Sequence, residues 1–214
     1  MSKRGFFLVL EGGEGTGKST NLAFIHDYLH RKGVPFSTSR EPGGTVIAEK
    51  VRTLLLEKNS EPMAPLTELL LVFAARAQHL EQKILPVLQR GEWMVCDRFT
   101  DATYAYQGGG RGLDRQAIAT LENLVQGNLR PDLVIVLDAP LEISKQRAES
   151  RGEKDRIESE SDAFHQRVRD AYLQRAAADP SRYAVVDASR PLALVQADLA
   201  SVLDALVSCW GSRE

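Results

Sequence analysis

The fold is decided by residues 6–19, which read Phe-Phe-Leu-Val-Leu-Glu-Gly-Gly-Glu-Gly-Thr-Gly-Lys-Ser. The apolar run 6–10 predicts a buried strand, and residues 12–19 match the pattern G-x-x-x-x-G-K-[ST] without a mismatch. From about Gly17 onward, apolar residues recur at the spacing of an amphipathic helix. A glycine-rich turn without function would require neither the strand nor the helix. Strand, loop and helix together predict a phosphate loop for a nucleoside triphosphate.

The phosphate loop (residues 12–19) has the chemistry to hold an anion. Its glycines leave backbone N–H groups free to curl around a phosphate, and the N-terminus of the following helix adds a partial positive charge. Lys18 is placed to reach the β- and γ-phosphates, and the Ser19 hydroxyl is placed to ligate Mg²⁺. The residues predicted to bind ATP here are Gly12, Gly13, Glu14, Gly15, Thr16, Gly17, Lys18, Ser19 and Thr20.

Length, charge and composition predict one soluble domain. The 214 residues suffice for a single α/β domain, 1–214, and two full domains would be cramped. A formal net charge of −2 predicts no broad nucleic-acid surface, and two distant cysteines, Cys96 and Cys209, fit a reducing compartment. The strongly apolar stretch Leu69–Ala75 is far shorter than the ~20 residues of a membrane span, and no signal peptide is visible. We therefore expect a cytoplasmic protein that binds neither membrane nor nucleic acid.

Short apolar runs alternate with longer segments of helical period along the chain. Strands are predicted at Phe6–Leu10, Val34–Thr38, Trp93–Cys96, Leu133–Leu137 and Tyr183–Val186. Helices are predicted near 18–32, 45–58, 66–90, 114–126, 141–150, 161–178 and 191–209. Pro86 should interrupt the third helix. The alternation predicts an α/β, P-loop NTPase fold: a five-stranded parallel sheet flanked by helices on both faces, with ligands at the carboxyl ends of the strands.

Charged residues follow the second and third predicted strands. Asp97 ends a buried strand, as do the acids that hold Mg²⁺ in P-loop proteins, and we predict it as a metal ligand together with Ser19. Arg98 follows at once, and Arg40 lies in the glycine-rich turn 39–45. A guanidinium offers a planar fork that suits a phosphate, so two of them indicate a second anionic group beyond the nucleotide's own phosphates. Taken singly, each arginine would more often be a surface ion pair.

Phe73 and Arg76 are three residues apart on a predicted helix and project from neighbouring positions on one face. Core packing is the usual role of a phenylalanine in so apolar a run, but the arginine beside it counts against a dry core. A ring that stacks on a base, with a donor for the base's exocyclic oxygen, explains the pair better. Segment 100–111 then mixes hydroxyl, aromatic and amide groups with three consecutive glycines, which core packing does not require.

These motifs, in this order, resemble those of the bacterial thymidylate kinases, which are P-loop nucleoside monophosphate kinases. They are Gly12–Ser19, Arg40-Glu41-Pro42-Gly43-Gly44, Phe73-x-x-Arg76, Asp97-Arg98-Phe99 and Ala105-Tyr106-Gln107-Gly108-Gly109-Gly110-Arg111. Many folds share the first motif, whereas the Arg-Glu-Pro-Gly-Gly and Tyr-Gln-Gly motifs are far more specific. The resemblance implies Mg²⁺-dependent transfer of the γ-phosphoryl group from ATP to dTMP, giving dTDP and ADP, a step of dTTP synthesis for DNA replication.

The resemblance also implies a role for each matching residue. Lys18 and the loop amides would hold the ATP phosphates, and Arg40 and Arg98 would hold the acceptor phosphate. The other contacts to dTMP would be a stacking ring at Phe73, a donor to thymine O4 at Arg76, the remaining polar edge of the base at Thr103 and Gln107, a check on the 2′-position of the sugar at Tyr106, and a contact to the 3′-hydroxyl at Glu14.

Residues 147–160 carry many charges and few apolar side chains, as solvated surface segments usually do. Members of the family differ in where the catalytic arginine lies, and this chain has none in its phosphate loop. The charge on the transferred group still needs a stabiliser. We therefore interpret the segment as a basic lid that supplies the stabiliser from Arg147, Arg151 or Arg156. Arg151 and Arg156 are the catalytic candidates, between which spacing does not choose, and Arg147 is placed near ATP.

The predicted catalytic residues are Glu14, Lys18, Arg98, Arg151 and Arg156. The expected partners are the small molecules ATP and dTMP and a second copy of the chain, because family members are usually homodimers and the apolar stretches 45–56 and 66–80 could supply the face. Two alternatives stay open. One is a kinase for another nucleoside monophosphate, with dUMP as a weaker acceptor; the other is a P-loop ATPase switch that binds a protein partner.

Overall fold

Five short strands pair in parallel in the computed structural model, which describes residues 4–58, 60–149 and 155–211. The strands are β1 Phe7–Glu11, β2 Phe36–Arg40, β3 Trp93–Asp97, β4 Leu133–Asp138 and β5 Tyr183–Asp187, in the spatial order β2-β3-β1-β4-β5. The predicted five-stranded parallel sheet is therefore confirmed. Its boundaries differ most at β2, which begins after Pro35 because a proline has no N–H for the ladder.

Helices cover both faces of the sheet. In the described part of the chain they are α1 Lys18–Arg31, α2 Val46–Leu56, α3 Pro65–His79, α4 Leu85–Gln89, α5 Thr100–Thr103, α6 Arg115–Gln126, α7 Leu141–Glu149, α8 Asp162–Ala178 and α9 Leu192–Gly211. Between α3 and α4 the chain forms a π-helical turn, Leu80–Ile84. This turn lies just before Pro86, which cannot donate to the helical ladder, so the predicted interruption is found.

The strand β1 shows why the sheet needs cover on both sides. Leu8 and Leu10 point into a core shared with α1 and α9, whereas Phe7 and Val9 point into a second core shared with α4 and α8. All four side chains are fully buried. A continuous apolar run is thus the expected sequence of a central parallel strand.

The phosphate loop leaves the sheet where its strand order reverses. β1 lies between β3 on one side and β4 on the other, and the loop follows β1 directly. In the register of the sheet, Leu10 pairs with Asp97, and Asp97 pairs with Arg40. The ends of three neighbouring strands therefore meet at one edge, which is the position at which open α/β sheets bind ligands.

Segment 100–111, predicted only as a binding segment, is helical. After the short helix α5 it continues as a second π-helix, Tyr104–Gly110, which packs on α8. A Cβ at Gly109 would lie 2.8 Å from the carbonyl oxygen of Arg167, and one at Gly110 would lie 2.4 Å from the ring of Phe164. The glycines, which argue against a helix on propensity alone, allow this close packing.

The C-terminal helix α9 is more apolar than the sequence analysis recognised. Among the described residues, Leu192–Trp210 is the segment long and apolar enough to cross a membrane by length and composition. In the structure, Val195, Leu199 and Leu203 on this helix are buried in the core beside β1 and α1. One face of the helix is thus part of the core, whereas Leu192 and Leu194 at its start are about half exposed.

Candidate active site

The phosphate loop has a backbone shape that depends on two of its glycines. Gly15 has φ of +74°, and a Cβ there would lie 1.9 Å from the carbonyl oxygen of Ser144. Only a glycine allows the first turns of α7 to approach the loop so closely. Gly17, with φ of +86°, turns the chain into the first residue of α1. The loop is therefore fixed from both ends, by α1 and by α7.

Lys18 folds back over this loop. Its Nζ donates hydrogen bonds to the carbonyl oxygens of Gly12 and Gly13, both at 3.0 Å. Burial, reinforced by the positive charge of Arg98, lowers the pKa of Lys18 to about 8, while the carboxylate of Glu14 acts in the opposite direction. An anion held in the loop would favour the charged form of this ammonium group.

A cavity of about 250 Å³, the main cavity, opens in front of the loop between α2, α3 and the second π-helix. The predicted site residues that line it are Glu14, Gly15, Gly17, Lys18, Ser19, Arg76, Asp97, Arg98, Thr103, Tyr106, Gln107 and Arg156. Gly12, Gly13 and Thr16 instead line a smaller cavity of about 80 Å³ between the loop and α8. Thr20 is exposed on α1, and Arg151 lies outside the described residues.

Arg98 connects the phosphate loop to the second π-helix. Its backbone has φ of +64°, an uncommon value for a residue with a side chain. Nη1 donates to the carbonyl oxygen of Gly12 at 2.7 Å and to the hydroxyl of Tyr172 at 3.1 Å, and Nη2 forms an ion pair with Glu14. The guanidinium carbon lies 4.9 Å from the ring centroid of Tyr106. These contacts fix the guanidinium in the main cavity.

Glu14 is the carboxylate of the phosphate loop. Its Oε1 accepts hydrogen bonds from Arg98 and, at 3.0 Å, from the Tyr106 hydroxyl. Burial alone would raise the pKa of Glu14, but the positive charges of Arg98 and Lys18 lower it to about 2. Glu14 is therefore ionised at neutral pH, and it can accept but not donate a hydrogen bond.

Asp97 and Ser19 both line the main cavity, at the ends of β3 and the start of α1. Asp97 Oδ1 is buried and has no hydrogen-bond partner within the described residues. Residues 4–58, 60–149 and 155–211 contain no cluster of three His, Cys, Asp or Glu side chains suited to a metal ion. The Asp97 carboxylate, with its unpaired buried oxygen, and the Ser19 hydroxyl fit a hard cation that takes its other ligands from phosphate and water.

Arg76 is held rigidly at the far end of the main cavity. Its Nε donates to Glu41 Oε2 at 2.7 Å, and its Nη2 donates to the carbonyl oxygen of Phe99 at 3.1 Å and to Thr103 Oγ1 at 2.9 Å. The guanidinium carbon lies 4.8 Å from the Phe73 ring centroid and 5.0 Å from that of Phe99. Nη1 is buried with no partner in the part of the chain described. An unpaired buried donor is costly, so this atom is suited to an acceptor oxygen on a ligand.

A second chain of hydrogen bonds holds Glu41. His79 Nδ1 lies 3.0 Å from Glu41 Oε1, and His79 Nε2 lies 2.6 Å from Ser39 Oγ. With the proton on Nδ1, His79 donates to Glu41 and accepts from Ser39. Burial would raise the pKa of Glu41, but the charge of Arg76 and the bond to His79 keep it below its usual range. An ionised Glu41 thus orients Arg76.

Phe73 does not take the position predicted for it. It is buried in a core with Leu69, Tyr104 and Ile118, and the residue of α3 that lines the main cavity is its neighbour Val72. One step along a helix turns a side chain by about 100°, so the two neighbours face different surroundings. Core packing, the alternative weighed for Phe73 in the sequence, is what the structure shows, and this placement speaks against a stacking role.

Arg40 also lies elsewhere. Its side chain is 53% exposed and its Nη2 pairs with Glu49 at 2.8 Å, over an open groove between α1 and α2. The arginine that this region contributes to the main cavity is Arg52, on α2, whose Nη1 donates to the carbonyl oxygen of Pro42 at 2.9 Å. Burial and the charge of Arg40 lower the pKa of Arg52. Its signal in the sequence was weak, because Arg52 is one of two cations in α2, two residues after Lys50.

Two of the three lid arginines lie in the described residues, and they have different surroundings. Arg156 lines the main cavity and forms an ion pair with Glu68 at 2.7 Å. Arg147, on α7, donates through Nη1 to the carbonyl oxygen of Ala188 at 2.7 Å, at the loop that follows β5. The structure thus separates Arg156 from Arg147.

Glu11 was missed in the sequence analysis. It is fully buried behind the phosphate loop, where Oε1 accepts from the backbone N–H of Phe99 at 2.8 Å and Oε2 accepts from the Tyr172 hydroxyl at 2.8 Å. Burial, with the negative charge of Asp101, raises the pKa of Glu11 to about 8. Glu11 anchors the start of the segment that carries Thr103. A glutamate that ends an apolar strand was the available signal.

Comparisons with known proteins agree with this geometry. A family model described as thymidylate kinase matches residues 10–199. A thymidylate kinase of Pseudomonas savastanoi pv. phaseolicola is 59% identical over 203 residues, which cover 95% of this chain and 97% of that protein. A thymidylate kinase of Chromohalobacter salexigens is 56% identical over 208 residues, covering 96% and 98%. The crystal structure of thymidylate kinase from Ehrlichia chaffeensis superposes with a TM-score of 0.75 at 32% identity, covering 94% of this chain and 99% of that one.

Proposed function

The chain belongs to the thymidylate kinase family, and we infer that it transfers the γ-phosphoryl group of ATP to dTMP, giving dTDP and ADP. The observation that carries this inference is the content of one cavity, which has Lys18 of the phosphate loop at one end and the unpaired Nη1 of Arg76 at the other. ATP alone uses only the first end. A pyrimidine monophosphate brings a carbonyl oxygen to the second end. In a P-loop ATPase switch this second end would have no role.

For the acceptor, we propose that Arg98 and Arg52 hold the phosphate of dTMP. Both line the main cavity, and an anion between them would offset their mutual repulsion. Arg40, predicted for this role, is supported less well because its guanidinium is bound to Glu49. The ionised Glu14 is assigned to the sugar's 3′-hydroxyl. Tyr106, whose hydroxyl donates to Glu14, is assigned to the check on the 2′-position.

At the base end, the donor of Arg76 is assigned to thymine O4. Thr103 and Gln107 line the same end of the main cavity and are assigned to the remaining polar edge of the base. Val72 replaces the predicted ring of Phe73 as the apolar side chain beside them. This set accepts the carbonyl oxygen that thymine and uracil share, and it opposes the amino group of cytosine.

The residues present fit a magnesium ion, which Ser19 and Asp97 would hold together with the nucleotide. Bound there, Mg²⁺ neutralises charge on the β- and γ-phosphates. The chain's own residues contribute positioning and charge. Lys18 holds the donor phosphates, Arg98 holds the attacking phosphate, and neither needs to move a proton because that acceptor is already anionic near neutral pH.

We assign the lid to residues 147–160, as the sequence predicted, with Arg151 as the stabiliser of the transferred group. Arg156 is a weaker candidate for that role, since its guanidinium is already paired with Glu68. We assign Arg147 to the nucleotide's adenosine end; its bond to the loop after β5 supports this assignment. Closure of the lid would exclude water, so that ATP is not hydrolysed in place of transfer.

A homodimer formed through α2 and α3 is the proposed assembly. These helices pack against each other, and their outer faces expose large apolar side chains: Val46 at 77%, Ile47 at 55%, Leu54 at 44%, Leu66 at 56% and Leu70 at 49%. Adjacent exposed apolar residues of this kind mark protein interfaces. Leu66→Lys with Leu70→Lys should give a monomer by light scattering, whereas a wild-type chain that is already monomeric would refute the assembly.

A cytoplasmic location is proposed for the enzyme as for its soluble relatives.

The test of the reaction is ADP release from Mg²⁺-ATP with dTMP, dUMP, CMP, AMP or no acceptor. We expect strong stimulation by dTMP, weaker stimulation by dUMP and negligible stimulation by the others. Arg76→Lys is the matched variant, because it keeps the charge but loses the planar fork. It should lose the preference for dTMP over CMP. ATP turnover that no acceptor changes would favour the ATPase switch.

A further inference from the structure

Glu68, on α3, is a buried carboxylate with an unusually large set of partners. Its side chain is 1% exposed, and it accepts a hydrogen bond from Gln107 Nε2 at 2.8 Å. Arg111 donates to it from Nη2 at 3.2 Å, and Arg156 pairs with it at 2.7 Å. Burial would raise the pKa of Glu68, but the bonds from Gln107 and Arg111 outweigh it and keep the pKa low. The predicted reaction has given this residue no role.

On one side, Glu68 holds the end of the lid. The Arg156 backbone N–H donates to the carbonyl oxygen of Leu56 at 3.1 Å, and its Nε donates to that of Leu55 at 2.8 Å. Arg111, the other cation on Glu68, also forms an ion pair with Glu160. Residues 155–160, the docking segment, are therefore fastened to α2 through two backbone carbonyl oxygens and to α3 through the carboxylate of Glu68.

On the other side, Glu68 orients the base end of the main cavity. Because Gln107 gives its amide N–H to Glu68, its carbonyl oxygen remains as the group available to a ligand. An acceptor at this position suits the N3–H of a pyrimidine such as thymine. Thr103, four residues earlier in the same helical stretch, accepts from Arg76. The base-reading residues and the docking segment thus share Glu68.

A shared buried carboxylate couples the docking segment to the base end of the main cavity. The coupling arises because a buried charge that loses some of its partners costs free energy. If Arg156 leaves, Glu68 loses its closest cation and keeps only Arg111 and Gln107, so more of its charge is held by the bond to Gln107. If a base fixes Gln107, the carboxylate is held where Arg156 can pair with it. Coupling through Glu68 therefore needs no direct contact between the docking segment and the base.

We propose that Glu68 is a positioning residue that couples binding of the acceptor base, through Gln107, to docking of the lid, through Arg156. This inference rests on the proposed function, since it concerns the acceptor of that reaction. It assigns Arg156 to fastening the lid and leaves the transferred group to another arginine.

The test compares Glu68→Gln, Arg156→Gln and the double variant, with Glu81→Gln, an exposed glutamate just beyond α3, as the control. Glu68→Gln keeps the volume, and a melting temperature near that of the wild type would show that it folds; Glu68→Asp serves if it does not. We expect each single variant to lower kcat/KM for dTMP roughly tenfold or more, with KM for ATP changed less than about threefold. The double variant should lose little beyond the worse single variant.

Losses that multiply in the double variant, or a Glu68→Gln enzyme within about twofold of wild type, would overturn the proposal. Hydrogen exchange gives an answer independent of turnover. The amide of Arg156 should exchange more slowly in the wild type when dTMP is added, and dTMP should have no such effect in Glu68→Gln. An enzyme that ignores dTMP in the ADP assay would refute the proposed function, whereas equal exchange in both proteins would refute only the role of Glu68.

Discussion

The two ends of the main cavity are built by different means. The phosphate loop is shaped by backbone: Gly15 and Gly17 take φ values that favour glycine, and Lys18 binds loop carbonyls. The base end is shaped by buried side-chain networks, in which Glu41 holds Arg76 and Glu68 holds Gln107. The backbone conformation of a loop is specified by residues that are neighbours in the sequence. A side-chain network depends on residues that only the fold brings together.

Arg98 connects the phosphate loop to Tyr106 of the second π-helix, and removing it should have the largest effect. Arg98→Ala removes the proposed holder of the acceptor phosphate and leaves Glu14 without its main cation. We expect kcat/KM for dTMP to fall about 1000-fold while ATP affinity changes little, because the donor phosphates are held by Lys18 and the loop. Steady-state kinetics and ATP titration measure both. Arg4→Ala, which breaks a surface pair with Asp132, is the control and should be near wild type.

Gly15→Ala tests the backbone end. Its Cβ would lie 1.9 Å from the carbonyl oxygen of Ser144 at a φ of +74°, so the loop must shift. We expect kcat to fall at least about 100-fold, since a displacement of one ångström can cost that much. Gly33→Ala has a similar φ of +67° but nothing within 4 Å of the new Cβ. It should lose about 1 kcal/mol of stability and keep its kcat; equal losses in the two variants would remove the close approach as the cause.

Arg52 and Arg40 are the two arginines near the end of β2 that could hold the acceptor phosphate, and their variants show which one does. We expect Arg52→Ala to raise KM for dTMP roughly tenfold or more, because it removes a cation from the main cavity. Arg40→Ala should stay within about threefold of wild type, since its pair with Glu49 is half exposed. The same steady-state assay with varied dTMP measures both. The opposite order would restore Arg40 to the acceptor phosphate.

The pH profile tests the charge of Lys18. Its pKa is lowered to about 8 in the free protein, so the ammonium form is complete below that value and is lost as pH rises through it. We expect kcat/KM for ATP to be flat from pH 6 to 7 and to fall roughly tenfold per unit well above pH 8. Glu14, with a pKa of about 2, should contribute no change in this range. A flat profile to pH 9.5 would show that Lys18 keeps its proton.

The difference between the ends also explains what the sequence could predict. The phosphate loop, the five strands and the position of Asp97 depend on local pattern, and the structure places them as expected. Phe73 failed because a helix turns by about 100° per residue, and the apolar run of α3 does not show which neighbour faces the cavity. The pairing of Arg40 with Glu49 could not be predicted from the pattern at the end of β2, because Glu49 lies on the next helix.

Glu11 and Glu68 were missed for a related reason. A glutamate in sequence is most often a surface residue, and burial depends on partners that are far away along the chain. Tyr172 is 161 positions from Glu11, and Arg156 is paired with Glu68 across the cavity. The second π-helix was missed because its glycines oppose helix formation until Phe164 packs against them.

The unpaired Nη1 of Arg76 has a consequence for the design of inhibitors. It offers a buried donor whose direction is already set by Glu41 and by the rings of Phe73 and Phe99. A small fragment with a carbonyl oxygen at that point gains a charge-assisted hydrogen bond without the entropy loss of ordering a flexible side chain. Such a fragment can start from the base end and grow toward Arg98, and so avoid competing with the ATP present in cells.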